Sequence, residues 1–283
     1  MRRVLLSFFS LAIVLSFSNA YAMSDAEYMA AMAAMHHDDS PQPSPVAVEK
    51  PAQPVTGAEV VYATVGGKQV KGYLSRPTAA KGPLPAIIVV HEWWGLNDNI
   101  RRTADRLAGE GYETLAVDLY GGQSAQTPDD AKKLMMTVFN DPATAKENLK
   151  QAYGYLHDHE HAKKMGVIGW CFGGGWSLQT ALLFPDKLDA AVMYYGQPVT
   201  DVAQLSTLKM PLIGFFGEKD QGITVADVQK FQEALKAAKV DAEIHEYPDA
   251  GHAFANPSGQ NYQAAAAKDS WDRTVKFFKT HLQ

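Results

Sequence analysis

The chain has 283 residues, 46% of them hydrophobic and 20% charged, which is enough to build a sizeable core and too apolar for a disordered protein. Lys and Arg number 26 against 31 Asp and Glu, and the body has no long basic stretch. Nucleic acid and an anionic membrane surface are therefore excluded as expected partners. The single cysteine excludes an intramolecular disulfide framework, a cysteine-based zinc site and a CxxC redox pair.

Residues 1–22 have the three parts of a secretory signal peptide. Arg2 and Arg3 form the positive n-region, residues 4–17 are mostly apolar, and Ala20-Tyr21-Ala22 is a small-x-small cleavage site. The apolar stretch is short for a membrane span, which needs about 20 residues. We therefore expect cleavage after Ala22 and a secreted or periplasmic mature protein without a membrane span. The alternatives are a retained anchor or a buried N-terminal helix.

Residues 23–57 are predicted to form a Pro-rich flexible tether. Met and Ala dominate the start of this segment, and His36-His37-Asp38-Asp39 follows. Proline, which favours extended chain and cannot continue a helix or a sheet ladder, then recurs at Pro41, Pro43, Pro45, Pro51 and Pro54. The His-His-Asp-Asp cluster could bind a metal, but we interpret it as a solvated polar part of the tether.

From residue 58 to residue 283 the sequence alternates strand and helix patterns. Val60–Val65 and Gln69–Ser75 flank Gly66-Gly67 and predict a hairpin. Further strands are predicted at 86–91, 112–118, 164–170, 188–195, 211–217 and 242–247, and helices at 99–111, 129–140, 143–158, 173–184, 225–238 and 262–282. Strands separated by helices imply right-handed crossovers, so we expect one α/β domain with a mostly parallel sheet.

A glycine-rich turn places the only cysteine between a strand and a helix. The residues 169–174 read Gly-Trp-Cys-Phe-Gly-Gly, which is the nucleophile-elbow pattern with sulfur in place of the serine oxygen. Such a tight turn leaves no room for side chains at Gly169 and Gly173. The helix N-terminus favours the thiolate of Cys171 and points the amide of Phe172 towards a developing oxyanion. The alternative is a small buried cysteine in a turn.

Two further residues follow predicted strands and complete the pattern. Asp220 lies in the loop after strand 211–217, and His252 lies in a loop before the last helix. The chain order nucleophile, acid, base is that of α/β-hydrolases. In this arrangement His252 would move the proton and Asp220 would fix the orientation of the imidazole. Either residue alone would be read as a turn or structural residue.

Glu92 is a fourth candidate, immediately after strand 86–91. The chain leaves the sheet here as His91-Glu92-Trp93-Trp94-Gly95, where the oxyanion loop belongs, so the amide of Trp93 is the expected second oxyanion donor. The alternative role for Glu92 is a local ion pair, for example with Arg101.

Together these motifs resemble the dienelactone hydrolase family, cysteine-nucleophile members of the α/β-hydrolase superfamily, from Glu59 to the C-terminus. The matching motifs are His91-Glu92-Trp93-Trp94-Gly95, Asp118-Leu119-Tyr120, Gly169-Trp170-Cys171-Phe172-Gly173-Gly174, Tyr194-Tyr195-Gly196, Asp220 and Gly251-His252-Ala253-Phe254. The resemblance implies the α/β-hydrolase fold, with Cys171 as nucleophile, His252 as base and Asp220 as its partner. It also implies that Glu92 holds the thiol in a resting pose until substrate displaces the carboxylate.

The sequence departs from this family where dienelactone-cleaving members hold a substrate carboxylate with arginines. One such position is Asn256 here, and no arginine occurs between Arg106 and Arg273. Lys132 and Lys133 are nearby, but lysine cannot reproduce the bidentate fork of arginine. We therefore expect neutral esters or lactones to compete well with anionic ones.

The sequence predicts a monomeric hydrolase of small carboxylic esters or lactones, acting through an acyl-enzyme and needing no cofactor. The alternatives are a thioesterase or peptidase on the same scaffold, or a non-catalytic binding protein. No metal site is predicted. His157, His159 and His161 follow one another at i, i+2 spacing, which does not place ligands on one helix face.

Overall fold

An eight-stranded sheet forms the centre of the computed structural model, which describes residues 25–42 and 49–283. The strands are β1 (Val55–Val65), β2 (Lys68–Pro77), β3 (Ala86–Val90), β4 (Glu113–Val117), β5 (Met165–Trp170), β6 (Ala190–Tyr194), β7 (Leu212–Gly217) and β8 (Ala242–Tyr247). Their order is β1-β2-β4-β3-β5-β6-β7-β8. Strands β3 to β8, which are six neighbours in this order, are parallel. The β1–β2 hairpin joins β4 in antiparallel register.

The central strands are mostly apolar, apart from Glu113 and Thr114 in β4, because helices cover both faces of the sheet. Every residue of β3, β4, β5, β6 and β7 is buried. A parallel sheet with both faces covered requires such continuous apolar runs. The edge strand β8 is only partly buried and correspondingly more polar. The carboxyl ends of the parallel strands meet at one edge, where their loops can bring distant residues together.

Eight helices surround the sheet in the described residues. They are α1 (Asp25–Met35), α2 (Asp98–Gly109), α3 (Pro128–Asn140), α4 (Pro142–Gly154), α5 (Phe172–Leu183), α6 (Val202–Leu205), α7 (Val225–Ala238) and α8 (Ala264–Leu282). Side-chain oxygens of Asn97, Thr127, Asp141 and Thr224 cap four of them. Within the described ranges, no helix combines the length and the apolar character needed to cross a bilayer.

The predicted α/β-hydrolase fold, with its mostly parallel sheet, is confirmed. The predicted elements are all present. Helix α7 and strand β8 have the predicted bounds, and the other elements have shifted ends. The helix predicted at 143–158 ends earlier, at Gly154, and continues as a π-helical turn over Tyr155–His159. The hairpin strands are longer than predicted, so that β1 begins at Val55, within the predicted tether.

The prediction of a flexible tether is wrong for residues 25–42. Residues 25–35 form α1, and the side chains of Tyr28, Met29, Met32 and His36 are buried against the body. The physical reason is that these residues include no Pro or Gly and are rich in Ala and Met, which are strong helix formers. The prolines begin only at Pro41. The predicted signal peptide and residues 43–48 lie outside the described residues.

Candidate active site

Cys171 occupies a sharp turn between β5 and α5. Its backbone has φ +55° and ψ −120°, a strained conformation for a residue with a side chain, which costs about 1–3 kcal/mol. A Cβ on Gly173 would lie 2.4 Å from the carbonyl oxygens of Val90 and His91, and one on Gly169 would lie 2.0 Å from the carbonyl oxygen of Gly173. Only glycine fits at both positions, so the turn has the geometry that the sequence predicted.

His252 and Asp220 form a buried pair beside the elbow. The two atoms His252 Nδ1 and Asp220 Oδ2 are 2.7 Å apart. The other oxygen of Asp220 accepts the amides of Gly222 at 2.8 Å and Ile223 at 2.9 Å, which fixes the carboxylate. Because Nδ1 is engaged, Nε2 is the free nitrogen, and it has no hydrogen-bond partner among the described residues. One ring nitrogen of His252 lies within 4.8 Å of Cys171 Sγ.

The electrostatics favour a charged pair of thiolate and imidazolium. Burial alone raises the pKa of the Cys171 thiol, but the positive ring of His252, together with His36, brings that pKa down to about 6. Burial alone lowers the pKa of His252, but the carboxylate of Asp220 and the Cys171 sulfur raise it to about 10. At neutral pH the pair is therefore a thiolate and an imidazolium, the charge states that a cysteine nucleophile and a histidine proton donor require.

The two amides predicted as oxyanion donors are both available. Phe172 is the first residue of α5, where backbone N–H groups have no partner within the helix. Trp93 lies in the turn that leaves β3. Within the described residues neither N–H donates to a protein acceptor. Both are thus free to donate to a carbonyl oxygen bound beside Cys171.

Glu92 is buried in the site, but it forms no hydrogen bond with Cys171 in the described structure. Its Oε2 accepts from Asn256 Nδ2 at 3.0 Å. Burial, followed by the negative charge of Cys171, raises the pKa of Glu92 to about 8, so the group is a neutral acid at neutral pH. The alternative ion pair with Arg101 is wrong, because that guanidinium pairs with Asp98 at 3.2 Å.

Among the described residues, no lysine or arginine is buried at the site to replace the missing arginine at Asn256, and the buried basic groups there are the imidazoles of His36 and His252. The side chain of Asn256 is buried, and its Oδ1 accepts the amide of Ser258 at 2.8 Å. Lys132 and Lys133 are both exposed on α3, and Lys133 pairs with Asp130 at 3.2 Å. Neither lysine therefore belongs to the buried site.

Helix α1 lies directly over Cys171, which sequence reasoning missed. The Sδ of Met32 is 3.7 Å from Cys171 Sγ, and His36 Nε2 is 3.9 Å from the same sulfur. The ring of His36 lies 5.3 Å from that of His252. A signal was present in the sequence, because Met29, Met32 and His36 recur at the spacing of one helix face.

A second His–Asp pair therefore faces Cys171 from α1 and the turn that follows. His36 Nδ1 and Asp39 Oδ2 are 2.6 Å apart, with both side chains almost fully buried. The other oxygen of Asp39 accepts the amide of Gln260 at 2.9 Å, which ties the turn to the loop that follows His252. Burial lowers the pKa of His36, but Asp39 and Cys171 outweigh burial and leave that pKa raised.

With α1 in place, the nucleophile is closed to solvent. Cys171 is 1% exposed. One cavity of about 300 Å³ lies on one side, with Tyr28 of α1 and Phe172 in its wall, and another of about 500 Å³ lies on the other side, lined in part by Met35 and His252. Each end of α1 therefore borders one cavity, and Cys171 does not line either of the two.

Buried hydrogen-bond donors without a partner surround the sulfur. The hydroxyls of Tyr28, Tyr120 and Tyr195 and the indole N–H of Trp93 find no acceptor among the described residues. Burial is the main cause that raises the pKa of each tyrosine, and the negative charge of Cys171 raises it further. For Tyr195, Glu92 adds to this effect. All three tyrosines are therefore neutral donors. Unpaired buried donors are costly and typical of a ligand site.

Comparison with known proteins places this chain in a family. Residues 70–282 match the model of the dienelactone hydrolase family. The Usf protein of Aquifex pyrophilus is 35% identical over 223 residues, covering 76% of this chain and 95% of that protein. A protein of Aquifex aeolicus, provisionally assigned as a carboxymethylenebutenolidase, is 33% identical, covering 77% of this chain and 96% of its own length.

A solved structure leads to the same family. The crystal structure of a provisionally assigned dienelactone hydrolase from Klebsiella pneumoniae superposes with a TM-score of 0.73 at 31% identity, covering 81% of this chain and 100% of that chain. The family match begins after α1, so the helix over the nucleophile lies outside it. The chain belongs to the dienelactone hydrolase family and is a hydrolase of the α/β-hydrolase fold.

Proposed function

We propose that the protein hydrolyses small carboxylic esters or lactones through a Cys171–His252–Asp220 triad. The observation that carries the proposal is the buried line of these three groups at a strained elbow. Cys171 is placed at a helix N-terminus, and the Nδ1 of His252 is held 2.7 Å from an anchored carboxylate. This is the arrangement in which a nucleophile, a base and an orienting acid act as a unit.

The first half-reaction forms an acyl-enzyme. The thiolate of Cys171 attacks the carbonyl carbon, and the oxygen that becomes negative accepts hydrogen bonds from the amides of Trp93 and Phe172. The tetrahedral intermediate collapses, the bond to the leaving oxygen breaks, and the imidazolium of His252 gives its Nε2 proton to that oxygen. In a lactone the leaving alcohol stays attached to the acyl group.

The second half-reaction releases the acid. Neutral His252 takes a proton from a water molecule, which attacks the thioester carbon. The second tetrahedral intermediate collapses, a carboxylic acid leaves, and the thiolate and imidazolium are restored. Asp220 keeps its hydrogen bond to Nδ1 throughout and stabilises the imidazolium without taking its proton.

The lining supports a neutral substrate. The free donors of the site are phenol and indole groups, Glu92 is a neutral acid, and Asn256 is engaged with it. A substrate carboxylate would thus find no guanidinium fork within the described site. We infer that neutral esters or lactones are turned over at least as well as anionic ones of the same size.

A substrate panel tests this function. The wild type and Cys171→Ala are assayed on a neutral lactone, a matched carboxylate-bearing lactone, an aryl ester, a thioester and a peptide. We expect ester and lactone hydrolysis that an alkylating reagent blocks and that Cys171→Ala lacks. Activity that survives in Cys171→Ala contradicts the nucleophile. A preference for the thioester or the peptide would mean that the protein is a thioesterase or a peptidase. A strong preference for the anionic lactone contradicts the role inferred for Asn256.

We further propose that the mature protein is exported. The proposal depends on the n-region, apolar core and Ala20-Tyr21-Ala22 site of residues 1–22. Sequencing the N-terminus of the protein from its native host should find Met23 as the first residue. Recovery of only the full-length chain from the cytoplasm contradicts export.

A further inference from the structure

We propose that α1 and the catalytic cleft together form a binding site for one copper(I) ion, with Met32, His36, Cys171 and His252 as the ligands. This site goes beyond the proposed hydrolysis and does not depend on it. Among the described residues, His36, Cys171 and His252 are the one group of three His, Cys, Asp or Glu side chains whose ligand atoms converge, all within 4.8 Å of one another.

The distances suit a four-coordinate metal. An ion about 2.3 Å from each sulfur and about 2.0 Å from each nitrogen holds neighbouring tetrahedral ligands about 3.3–3.8 Å apart. The separation of the two sulfurs, Met32 Sδ and Cys171 Sγ, is 3.7 Å, and that of His36 Nε2 and Cys171 Sγ is 3.9 Å. A ring nitrogen of His252 lies within 4.8 Å of the ligand atoms of His36 and Cys171, so this side chain must move inwards to complete the coordination shell.

Both histidines are oriented as metal ligands usually are. His36 and His252 each direct Nδ1 to a carboxylate, at 2.6 Å to Asp39 and 2.7 Å to Asp220, which leaves Nε2 as the free atom. Carboxylates behind imidazoles fix the tautomer and strengthen the ligand. The Nε2 of His252 is a buried atom without a hydrogen-bond partner in the described ranges, and the proposed ion gives it one.

The ligand types favour copper over harder cations. A thiolate with a thioether is a soft pair that selects copper(I), and two imidazoles with a cysteine and a weaker methionine form the ligand set of copper sites. Zinc accepts the thiolate and the imidazoles, but thioether is not among its usual ligands. Met32 is therefore the residue that should distinguish the two metals.

Binding involves no change of oxidation state. A bond forms between Cys171 Sγ and the ion, and the proton on His252 Nε2 leaves to solvent. The ion then occupies both the nucleophile and the base and ties α1 to the body through Met32 and His36. Copper and substrate should exclude each other at this site.

The test measures metal binding directly, without substrate. The full mature chain, reduced and free of oxygen, competes with a chromophoric copper(I) chelator, and in a parallel titration with a zinc indicator. We expect one copper(I) per chain. Met32→Leu and His36→Ala should each weaken copper binding at least tenfold, whereas Met32→Leu should leave zinc binding unchanged. His37→Ala, an exposed neighbour, and Met136→Leu, an exposed methionine, are the matched controls and should match the wild type.

Copper K-edge X-ray absorption identifies the ligand atoms around the ion in the wild-type complex, without the use of a variant. We expect a shell of two sulfurs and two imidazole nitrogens. Absence of stoichiometric binding, wild-type affinity in both ligand variants, or a shell without sulfur overturns the site. If ester hydrolysis proves absent while copper binds as expected, the proposed function fails and the copper site stands.

Discussion

The two His–Asp pairs that face Cys171 have nearly the same internal geometry but very different attachments. His252 and Asp220 stand on loops of the hydrolase body, and two backbone amides fix Asp220. His36 and Asp39 stand on α1 and its following turn, outside the family match, and one amide, that of Gln260, anchors Asp39. The comparison suggests a division of labour in which the body supplies the chemistry and α1 controls access to it.

Substituting each histidine should separate these two roles. His252→Ala should have the largest effect on activity. We expect His252→Ala to lower kcat/KM by about 10²–10⁴-fold or more, because general acid–base catalysis is lost. His36→Ala should instead raise kcat/KM in metal-free protein, because α1 loses a buried contact with the cleft. Steady-state kinetics on a neutral aryl ester measures both.

Asp220→Asn serves as the control for the body pair and should cost less than His252→Ala, since Asp220 orients and does not react. A loss in His36→Ala as large as that in His252→Ala would identify His36 as the base and reverse the comparison.

Substitutions of equally buried side chains should lower the free energy of unfolding by different amounts in the hydrolase body and in α1. Ile88 in β3 and Met32 in α1 are both 0% exposed. We expect Ile88→Ala to lower the free energy of unfolding by about 2–5 kcal/mol, as large-to-small changes in a core do. Met32→Ala should lower it by less than about 1 kcal/mol, because α1 can undock without unfolding the sheet. Denaturant titration followed by tryptophan fluorescence measures both variants, and equal losses would show that α1 is part of the cooperative core.

The sequence predicted the body well because its signals are local. The apolar run of β3, the Gly-Trp-Cys-Phe-Gly-Gly turn and the loops bearing Asp220 and His252 each follow from neighbouring residues and strand ends. The partner of Glu92 was not predictable in this way, because Asn256 lies 164 residues away along the chain.

The position of α1 could not be derived from the sequence for a physical reason. The helical spacing of Met29, Met32 and His36 is readable in the sequence. The surface that α1 contacts, however, is assembled from the loops after β3, β5, β7 and β8. A short helix owes most of its stability to tertiary packing and little to propensity. The nearby prolines therefore outweighed the helix pattern in the prediction.

Breaking α1 should open the site. Ala34 is exposed on α1 and borders the cavity of about 500 Å³. Ala34→Pro should destabilise the helix by about 3 kcal/mol, and Ala34→Ser changes the same cavity wall without breaking the helix. A closed enzyme reacts only through its open fraction, and we therefore expect kcat/KM and the alkylation rate of Cys171 by iodoacetamide to rise at least about tenfold. Ala34→Ser is the matched control and should resemble the wild type. Reduced activity in Ala34→Pro would mean that α1 completes the active site.

Glu92 interacts electrostatically with both His36 and His252, and its contribution to stability should depend on pH. Its pKa is raised to about 8, first by burial and then by Cys171 and Asp39, against the positive charges of His36 and His252. The folded protein therefore keeps the Glu92 proton when the unfolded chain has lost it. Stability from this group is complete below the ordinary glutamate pKa and falls as pH rises towards 8, by at most about 1.4 kcal/mol per pH unit.

Denaturant unfolding from about pH 5 to about pH 9 tests the sign, with the wild type compared with Glu92→Gln at each pH. The wild type should lose stability relative to the variant up to about pH 8 and run parallel to it above that pH. Glu113→Gln is the control. Burial first, and then Glu160, raises the pKa of Glu113 to about 7, so its effect should have the same sign and end about one pH unit lower. A difference for Glu92→Gln that does not change with pH would mean that Glu92 is ionised in the folded protein, and its charge would then oppose the Cys171 thiolate throughout the working range.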